Sequence, residues 1–443
     1  MNRAEDSTRR STAANATPDG ADPPPRGRPL VPSAALRLRR PTLFTPAFLR
    51  LVSVTFLAFF AGFQLFPAMP SRLLELGAGR AGAGVFLAVY TWASALSAPF
   101  TGALADRFGR PRMLVFAAVA FTAFSALYGV VTSIPLLLAV AALHGVFWSG
   151  MLSASGALAI EAIPIARRTE GLGYAGLAPT AAVAVAPAVG LAIYRLGWWA
   201  LAAELVALSL VLVLLARRVR ETAPAADTAV ERTIAPAEAP PAAQHVVGAR
   251  GWVRRLGTTV SWRVIAVAST IYLMALGYGG VQSYAALLAI ERGVRPASLF
   301  FTAFALTVVA SRIVVGRIAD RRGPLLLLFP ALLLAPAGYA LLAFAHSAPS
   351  TLVAAMVFAL GFGTAYPTFL TWVLARTDAR RRGATFGSVL FALDTAIGSG
   401  SLLVGWVGAR AGLGTAFLAA AGAAALALPA FLATRRLLPV PAS

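Results

Sequence analysis

Cysteine and lysine are both absent from this chain, and charged residues make up only 12% of its 443 positions. Without cysteine, disulfides, cysteine metal sites and thiol catalysis are excluded. Without lysine, the phosphate-binding GxxxxGK[ST] loop cannot occur. The three histidines form no HExxH motif, and no nucleophile-elbow motif stands in a suitable context. We therefore expect no metal, no cofactor and no enzymatic activity.

Long apolar stretches fill most of the chain, which is 58% hydrophobic and has a mean hydropathy of +0.76. A soluble domain carries roughly a quarter charged residues, so a soluble protein is not expected. A stretch of about 20 apolar residues crosses ~30 Å of hydrocarbon as a helix, which satisfies its own backbone hydrogen bonds. Twelve such stretches are present: Phe48–Met69, Ala81–Ala105, Met113–Val131, Ile134–Ile160, Gly173–Leu196, Trp198–Leu215, Val264–Ile290, Leu299–Ala319, Leu325–Ala345, Thr351–Leu374, Phe386–Val407 and Ala416–Leu432.

The arginines predict the orientation of these helices. All 38 basic residues are arginine, and the formal net charge is +21. With the loops placed on alternating sides, 31 arginines fall on the side of the N-terminus and six on the other. Such asymmetry is the positive-inside signal. It predicts a multi-pass protein of the inner or plasma membrane with both termini in the cytoplasm, and it argues against nucleic-acid binding.

The predicted helices divide six and six around a polar linker. An Ala/Pro-rich segment after Arg217 has too little apolar surface to form a core. Trp252 to Trp262 could instead form an interfacial helix at the bilayer surface. The expected organisation is a disordered cytoplasmic tail (1–47), an N-terminal six-helix bundle (48–216), a cytoplasmic linker (217–262), a C-terminal six-helix bundle (263–438) and a short cytoplasmic tail (439–443).

A sequence repeat relates the two halves. SAPFTGALADRFG (Ser97–Gly109) aligns without a gap with SRIVVGRIADRRG (Ser311–Gly323), and six of the thirteen positions are identical. Both segments end the second predicted helix of their half. Internal repeats of this kind, with a site at their interface, are typical of secondary transporters.

GALADRFGRPRML (Gly102–Leu114) resembles the loop signature of the major facilitator superfamily. PIARRTEGLGYAGL (Pro164–Leu177) and LDTAIGSGSLLVG (Leu393–Gly405) are more loosely similar to segments of its efflux-type members, the drug and sugar exporters. The resemblance implies an all-α membrane fold of two pseudo-symmetric six-helix bundles. It also implies a proton-coupled exporter of a small solute that works by alternating access. An uptake permease of the same fold is the alternative, and a non-transporting scaffold or enzyme is less favoured.

The resemblance also implies a cytoplasmic gate around the signature. Arg110 is expected to bind Asp106 and Glu161, and Gly102 and Gly109 allow close backbone approach and a tight turn. The remaining gate candidates are Arg107, Asp320 and Arg321. The second copy is incomplete, because Pro324 stands where Arg110 would repeat. Alternatively, these charges only fix the topology and solvate the loop.

Polar groups inside the membrane are costly unless they face a partner or a cavity, so each one is a functional candidate. Asp394 is the first candidate for proton coupling, because a carboxyl buried away from water can load and release a proton near neutral pH. A structural hydrogen bond or an ion pair with Arg312 is its alternative role. His144 is the second candidate, since imidazole titrates in the same range; packing is its alternative.

The expected partners are a small solute, protons and the lipid bilayer, and the chain is expected to be a monomer. Six residues are candidates for contact with the solute. The two glutamines lie in corresponding helices of the two halves, and interhelical hydrogen bonding is the alternative role for both. Glu204 is expected to pair locally with Arg195. The six candidates are Gln64, Trp148, Tyr278, Gln282, Tyr284 and Arg312.

Overall fold

The computed structural model describes residues 42–164, 167–219, 262–378 and 381–438. A short helix, Arg80–Ala83, precedes α2, and a 3-10 turn, Arg435–Leu437, follows α12. The main helices are α1 Pro46–Glu75, α2 Val85–Phe108, α3 Arg110–Val130, α4 Ile134–Ala162, α5 Arg168–Tyr194, α6 Trp198–Ala216, α7 Trp262–Glu291, α8 Leu299–Arg322, α9 Leu325–Phe344, α10 Ala348–Ala375, α11 Arg382–Ala425 and α12 Ala427–Thr434.

The described helices are long enough for a multi-pass membrane protein. Within the described ranges, ten helical segments are long and apolar enough to cross a membrane. One of them, Ala384–Leu437, breaks at Gly412, where φ is +84°. A shorter apolar segment, Leu299–Arg312, lies in α8. The break and this segment accommodate two further crossings, so the all-α membrane fold is confirmed and the helix count is consistent with twelve.

Local sequence explains where several helices begin. Pro46 starts α1, and the hydroxyl of Thr45 accepts a hydrogen bond of 3.2 Å from the backbone N–H of Phe48. Ser347 and Ser350 form a reciprocal capping box at the start of α10. Each cap satisfies an N–H group that the helix itself leaves unpaired.

Buried apolar side chains form two large clusters that follow the two halves of the sequence. One extends from Leu51 to Val219, and the other is built mainly from residues between Val264 and Leu438. In the first half α2 packs on α4, α1 on α5 and α3 on α6; in the second half α7 packs on α11 and α9 on α10.

Glycines bring α7 and α11 into backbone contact. A Cβ atom on Gly279 would collide with the carbonyl of Ile397, and one on Gly400 would collide with the carbonyl of Leu276. Small residues allow such close approach between membrane helices. Because each of these two glycines faces backbone atoms of the other helix, α7 and α11 pack with their backbones in direct contact.

Much of the predicted domain organisation falls on residues that the structure does not describe. The tail up to residue 41, the linker over 220–261 with its interfacial helix, and the last five residues lie outside the described ranges. Leu43, which the prediction assigned to the disordered tail, is buried against Phe48 and Ile163. The domain boundaries otherwise remain predictions.

Candidate functional site

Asp394 lies where the two halves of the chain meet. Its Oδ2 atom accepts a hydrogen bond of 3.5 Å from the Ser94 hydroxyl of α2. One residue along α11, the carbonyl of Thr395 accepts a 3.2 Å hydrogen bond from the Trp92 indole. No basic side chain contacts Asp394 among the described residues. The carboxyl is therefore placed at the contact between α2 and α11 without a counter-charge.

Arg312 lies at a second contact between the halves. It donates from Nη2 to the hydroxyl of Thr180 on α5 at 3.4 Å, and its buried Nε has no hydrogen-bond partner among the described side chains. The ion pair with Asp394, considered from sequence, is not formed. An arginine side chain inside a membrane without a carboxylate partner is costly, and such a group is by default a functional candidate.

His144 and Trp148 lie inside the first half. His144 Nδ1 is 3.2 Å from the Tyr128 hydroxyl, and its ring lies 4.6 Å from that of Phe121 and 5.0 Å from that of Tyr90, between centroids. Trp148 is buried against Phe59, at 4.9 Å between ring centroids. These surroundings match the packing alternative that was left open for His144.

Gln64 bonds to Glu204 rather than facing the other half. The Gln64 amide nitrogen donates to Glu204 Oε1 at 3.0 Å and so connects α1 to α6. The predicted pairing of Glu204 with Arg195 is therefore wrong. Glu204 lies one and a half turns into α6, and the packing of α1 beside that position supplies an amide as the nearer partner.

The remaining solute candidates lie in the second half. Gln282 donates to the Tyr278 hydroxyl at 3.1 Å, one helical turn away on α7, and both side chains are buried. Tyr278 also stacks on Phe362 at 4.2 Å between centroids. Tyr284 donates to the carbonyl of Arg80 at 3.0 Å, which places it at a contact with the first half.

At the end of the bundle that carries Gly102–Leu114, called here the signature end, Arg110 joins two acids. Its Nε and Nη2 donate to Asp106 Oδ1, both at 3.1 Å, and its Nη1 donates to Glu161. This cluster ties α2, α3 and α4 together within the first half. It therefore does not bridge the two halves in this conformation.

The other signature residues have different surroundings. Gly109 has a φ of +93° and separates α2 from α3, as a tight turn requires. The expected close approach at Gly102 is wrong, because a Cβ there would meet only Ser153 at 3.9 Å. Arg107 and Arg321 are exposed, and the side chain of Asp320 lies outside the described part of the chain.

The opposite end, called here the Arg80 end, contains a seam between the halves. Arg80 forms a 2.9 Å ion pair with Glu291 at the end of α7. The Ser401 hydroxyl of α11 donates to the carbonyl of Gly84 at 2.9 Å. A Cβ on Gly84 would lie 2.6 Å from both the Ser401 carbonyl and the Tyr284 hydroxyl. The two halves are thus closely packed here.

Comparison with known proteins identifies the family. The family model described as Major Facilitator Superfamily matches residues 51–401. The chain belongs to this superfamily. The family match agrees with the long apolar helices, so the chain is a multi-pass membrane protein of this superfamily.

Two curated relatives match parts of the transporter. Multidrug resistance protein 2 of Bacillus subtilis (strain 168) is 24% identical over 143 residues, which is 32% of this chain and 36% of that protein. The probable 4-methylmuconolactone transporter of Cupriavidus pinatubonensis (strain JMP 134 / LMG 1197) is 33% identical over 106 residues, or 24% and 25% of the two chains. The matches thus span about a third of the first relative and a quarter of the second.

Solved structures show the same fold. Nucleoside transporter NupG aligns with a TM-score of 0.65 and 14% identity, covering 88% of this chain and 100% of the other. A bacterial homolog of the human lysosomal transporter Spinster, inward-facing and unoccupied, aligns with a TM-score of 0.71 and 14% identity, covering 89% and 98%. At this identity the similarity shows the fold alone.

Sequence reasoning missed the residues of the Arg80-end seam. Arg80 was counted only for its charge, and Gly84, Glu291 and Ser401 were not singled out. The missed signal is weak: glycine and serine in a membrane helix indicate close packing, but not which helix supplies the contact. In this major facilitator transporter, that contact joins helices about 300 residues apart.

Proposed function

We propose that this protein is a proton-coupled exporter of a small organic solute that works by alternating access. The observation that carries the proposal is the position of Asp394 at the contact between α2 and α11, where it accepts from Ser94 and forms no ion pair with any described side chain. Of the two partial relatives, one is named a multidrug resistance protein, which supports export. Uptake by the same fold remains the second candidate, since the second relative is named only as a transporter.

Asp394 fits proton coupling because its charge state affects the contact between the halves. An ionised carboxyl in the bilayer interior is costly and favours a water-filled cavity, whereas the protonated form tolerates close packing. Protonation therefore biases the two halves toward contact, and deprotonation favours their separation. A group whose two states prefer different arrangements is what coupling by alternating access requires.

The two ends of the molecule supply the gates in this scheme. The seam at the Arg80 end closes that side, and the Asp106–Arg110–Glu161 cluster is the corresponding element at the signature end. Following the arginine distribution, we place the signature end and both termini in the cytoplasm of a cell bounded by this inner or plasma membrane. The division into two bundles flanked by tails and joined by a linker, and a monomeric state, belong to the same proposal.

Arg312 indicates the chemical class of the solute. Its guanidinium has unused donors and lies between α5 and α8, on opposite halves. A carboxylate can accept two hydrogen bonds from such a group. Because the chain is 58% hydrophobic and only 12% charged, we propose an amphipathic organic solute that carries one anionic or strongly accepting group.

Proteoliposomes that contain the purified full chain test the proposed coupling. Radiolabelled aromatic monocarboxylates and their uncharged amides serve as probes, with an imposed pH gradient. We expect movement of a carboxylate against the proton flow, abolished by a protonophore. Flux that persists unchanged after the gradient is collapsed would contradict coupling. Accumulation inside whole cells would show uptake instead of export.

Arg312→Gln tests the solute class. We expect the apparent affinity for the monocarboxylate to fall roughly tenfold, the effect of losing about 1.4 kcal/mol of charge-assisted hydrogen bonding. Affinity for the matched amide should change little. Arg410→Gln is the control, since Arg410 is exposed and lies over Trp406, two residues before the break of α11 at Gly412. Equal losses for both solutes would remove Arg312 from anion recognition.

A further inference from the structure

Gln64 and Glu204 form a hydrogen-bonded pair that is incomplete. The amide nitrogen of Gln64 donates to Glu204 Oε1 at 3.0 Å. The other oxygen of each group, Gln64 Oε1 and Glu204 Oε2, is buried and has no hydrogen-bond partner within the part of the chain that the structure describes. Both of these atoms are acceptors when the carboxyl is ionised, so neither can satisfy the other. A buried acceptor without a partner is destabilising, because it loses its hydrogen bonds to water and gains none in return.

One proton completes this pair. A protonated carboxyl carries an O–H donor beside its carbonyl oxygen, and a carboxamide carries a carbonyl oxygen beside its N–H donor. The two planar groups can therefore exchange two hydrogen bonds, in which the amide donates to Oε1 and Oε2–H donates to the amide oxygen. No co-reactant is needed beyond a proton from water. The ionised form, by contrast, leaves a charge at membrane depth with a single neutral donor.

No basic group is present to stabilise the ionised form among the described contacts. Helix α6 packs against α1, α3 and α5. On these helices the nearest titratable groups are engaged elsewhere: Tyr128 faces His144, and Tyr194 donates to Glu75, which pairs with Arg72. Arg195 contacts neither carboxyl oxygen. The arginines at the other end, Arg50, Arg217 and Arg218, lie on the order of 20 Å away along their helices at ~1.5 Å per residue.

The packing around Gln64 fixes the amide in position. A Cβ on Gly190 of α5 would lie 2.7 Å from the Cβ atom of Gln64 and 2.8 Å from the backbone carbonyl oxygen of Gln64. Helix α5 therefore supports the backbone of Gln64 directly behind the amide. Because the amide is held against α6 in this way, Gln64 forms a pre-arranged receptor for one protonation state of Glu204.

We propose that Glu204 is a proton-binding site of the N-terminal half, in which the protonated carboxyl and the Gln64 amide form a cyclic pair that joins α1 to α6. This site is separate from Asp394, which lies at the contact between the halves. It goes beyond the proposed function, since it holds whether or not Asp394 couples protons to solute. Loss of the proton breaks one of the two hydrogen bonds and weakens the connection between α1 and α6.

Infrared difference spectroscopy of the full chain in lipid vesicles tests this site directly. The probe is the carbonyl stretching band of a protonated carboxyl, followed during a pH titration in light and heavy water. At pH 7 we expect a component of this band, equivalent to one carboxyl per chain, that disappears in Glu204→Gln and persists in Asp394→Asn. Glu204→Gln preserves the shape and both hydrogen bonds of the pair, so the variant should fold.

A second variant distinguishes the cyclic pair from a merely protonated side chain. Gln64→Leu removes the amide but keeps an apolar contact, so the Glu204 band should shift to the frequency of a free carboxyl or disappear through ionisation. A wild-type spectrum without a band sensitive to Glu204→Gln would overturn the site. A Glu204 band that Gln64→Leu leaves unmoved would overturn the pair. Neither result depends on transport, so failure of the Asp394 scheme would be seen separately in Asp394→Asn flux.

Discussion

Asp394→Asn is expected to abolish proton-driven accumulation while leaving exchange of solute across the membrane. The amide keeps the size of the side chain and its contact with Ser94, but it cannot take up or release a proton. Coupling between two ligands corresponds to about 1–3 kcal/mol, or roughly 5- to 150-fold in affinity. Removing the proton as a ligand should reduce accumulation toward equilibrium, by at least tenfold if the coupling lies mid-range.

Paired flux assays separate this outcome from simple inactivation. Gradient-driven flux and solute counterflow are measured on the same proteoliposomes, and only the first should be lost. Asp378→Asn is the matched control, because Asp378 is exposed and lies just after the end of α10. If the Asp394→Asn protein still concentrates solute at the wild-type rate, proton binding must be assigned elsewhere.

Gly84→Val is expected to hold the Arg80 end open. The added side chain must occupy space that the carbonyl of Ser401 and the hydroxyl of Tyr284 already fill at 2.6 Å. Overpacking of this kind typically costs about 1–3 kcal/mol. Here the cost falls only on the closed arrangement of the seam, since separated halves leave room for the valine. Closure should become roughly 5- to 150-fold less favourable, and net transport should fall accordingly.

The absence of native cysteine makes this prediction simple to measure. Thr91 is buried beside Gly398, between α2 and α11. The substitution Thr91→Cys therefore places the single thiol of the variant protein at this contact. We expect a membrane-impermeant maleimide to label it slowly in the otherwise wild-type chain and much faster with Gly84→Val. Gly79→Val is the control, because nothing lies within 4 Å of a Cβ at Gly79. Equal labelling in both variants would show that the seam does not control access.

Helix existence was predictable from the sequence because membrane crossing imposes a length on apolar segments. Helix ends were less predictable. The first segment was predicted to end at Met69, but α1 continues to Glu75 through Pro67 and Pro70. Proline is tolerated within membrane helices, since neighbouring groups satisfy the freed carbonyl. The charged residues at its end, rather than the prolines, mark where this helix stops.

Side-chain partners inside the membrane were not predictable, and the reason is physical. A helix that is apolar on all sides gives no periodic signal for the face that is buried. From the sequence alone, Gln64 could face a cavity, a lipid or α6. Only the packing of the helices determines that its partner is Glu204. The Arg110 contacts were easier to predict, because Arg110 and Asp106 are four residues apart across the turn at Gly109, and Glu161 lies at the end of α4.

The glycine contacts between α7 and α11 also affect how the transporter can move. Gly279 and Gly400 leave no slack for these two helices to slide or tilt against each other, so they must shift as one body. Asp394 lies two turns below Ser401 on the same arm of α11. Under the proposed coupling, a change of charge at Asp394 would shift α7 and α11 together, and with them the Ser401 contact at the Arg80 end. One displacement would then serve both events without a separate chain of side-chain rearrangements.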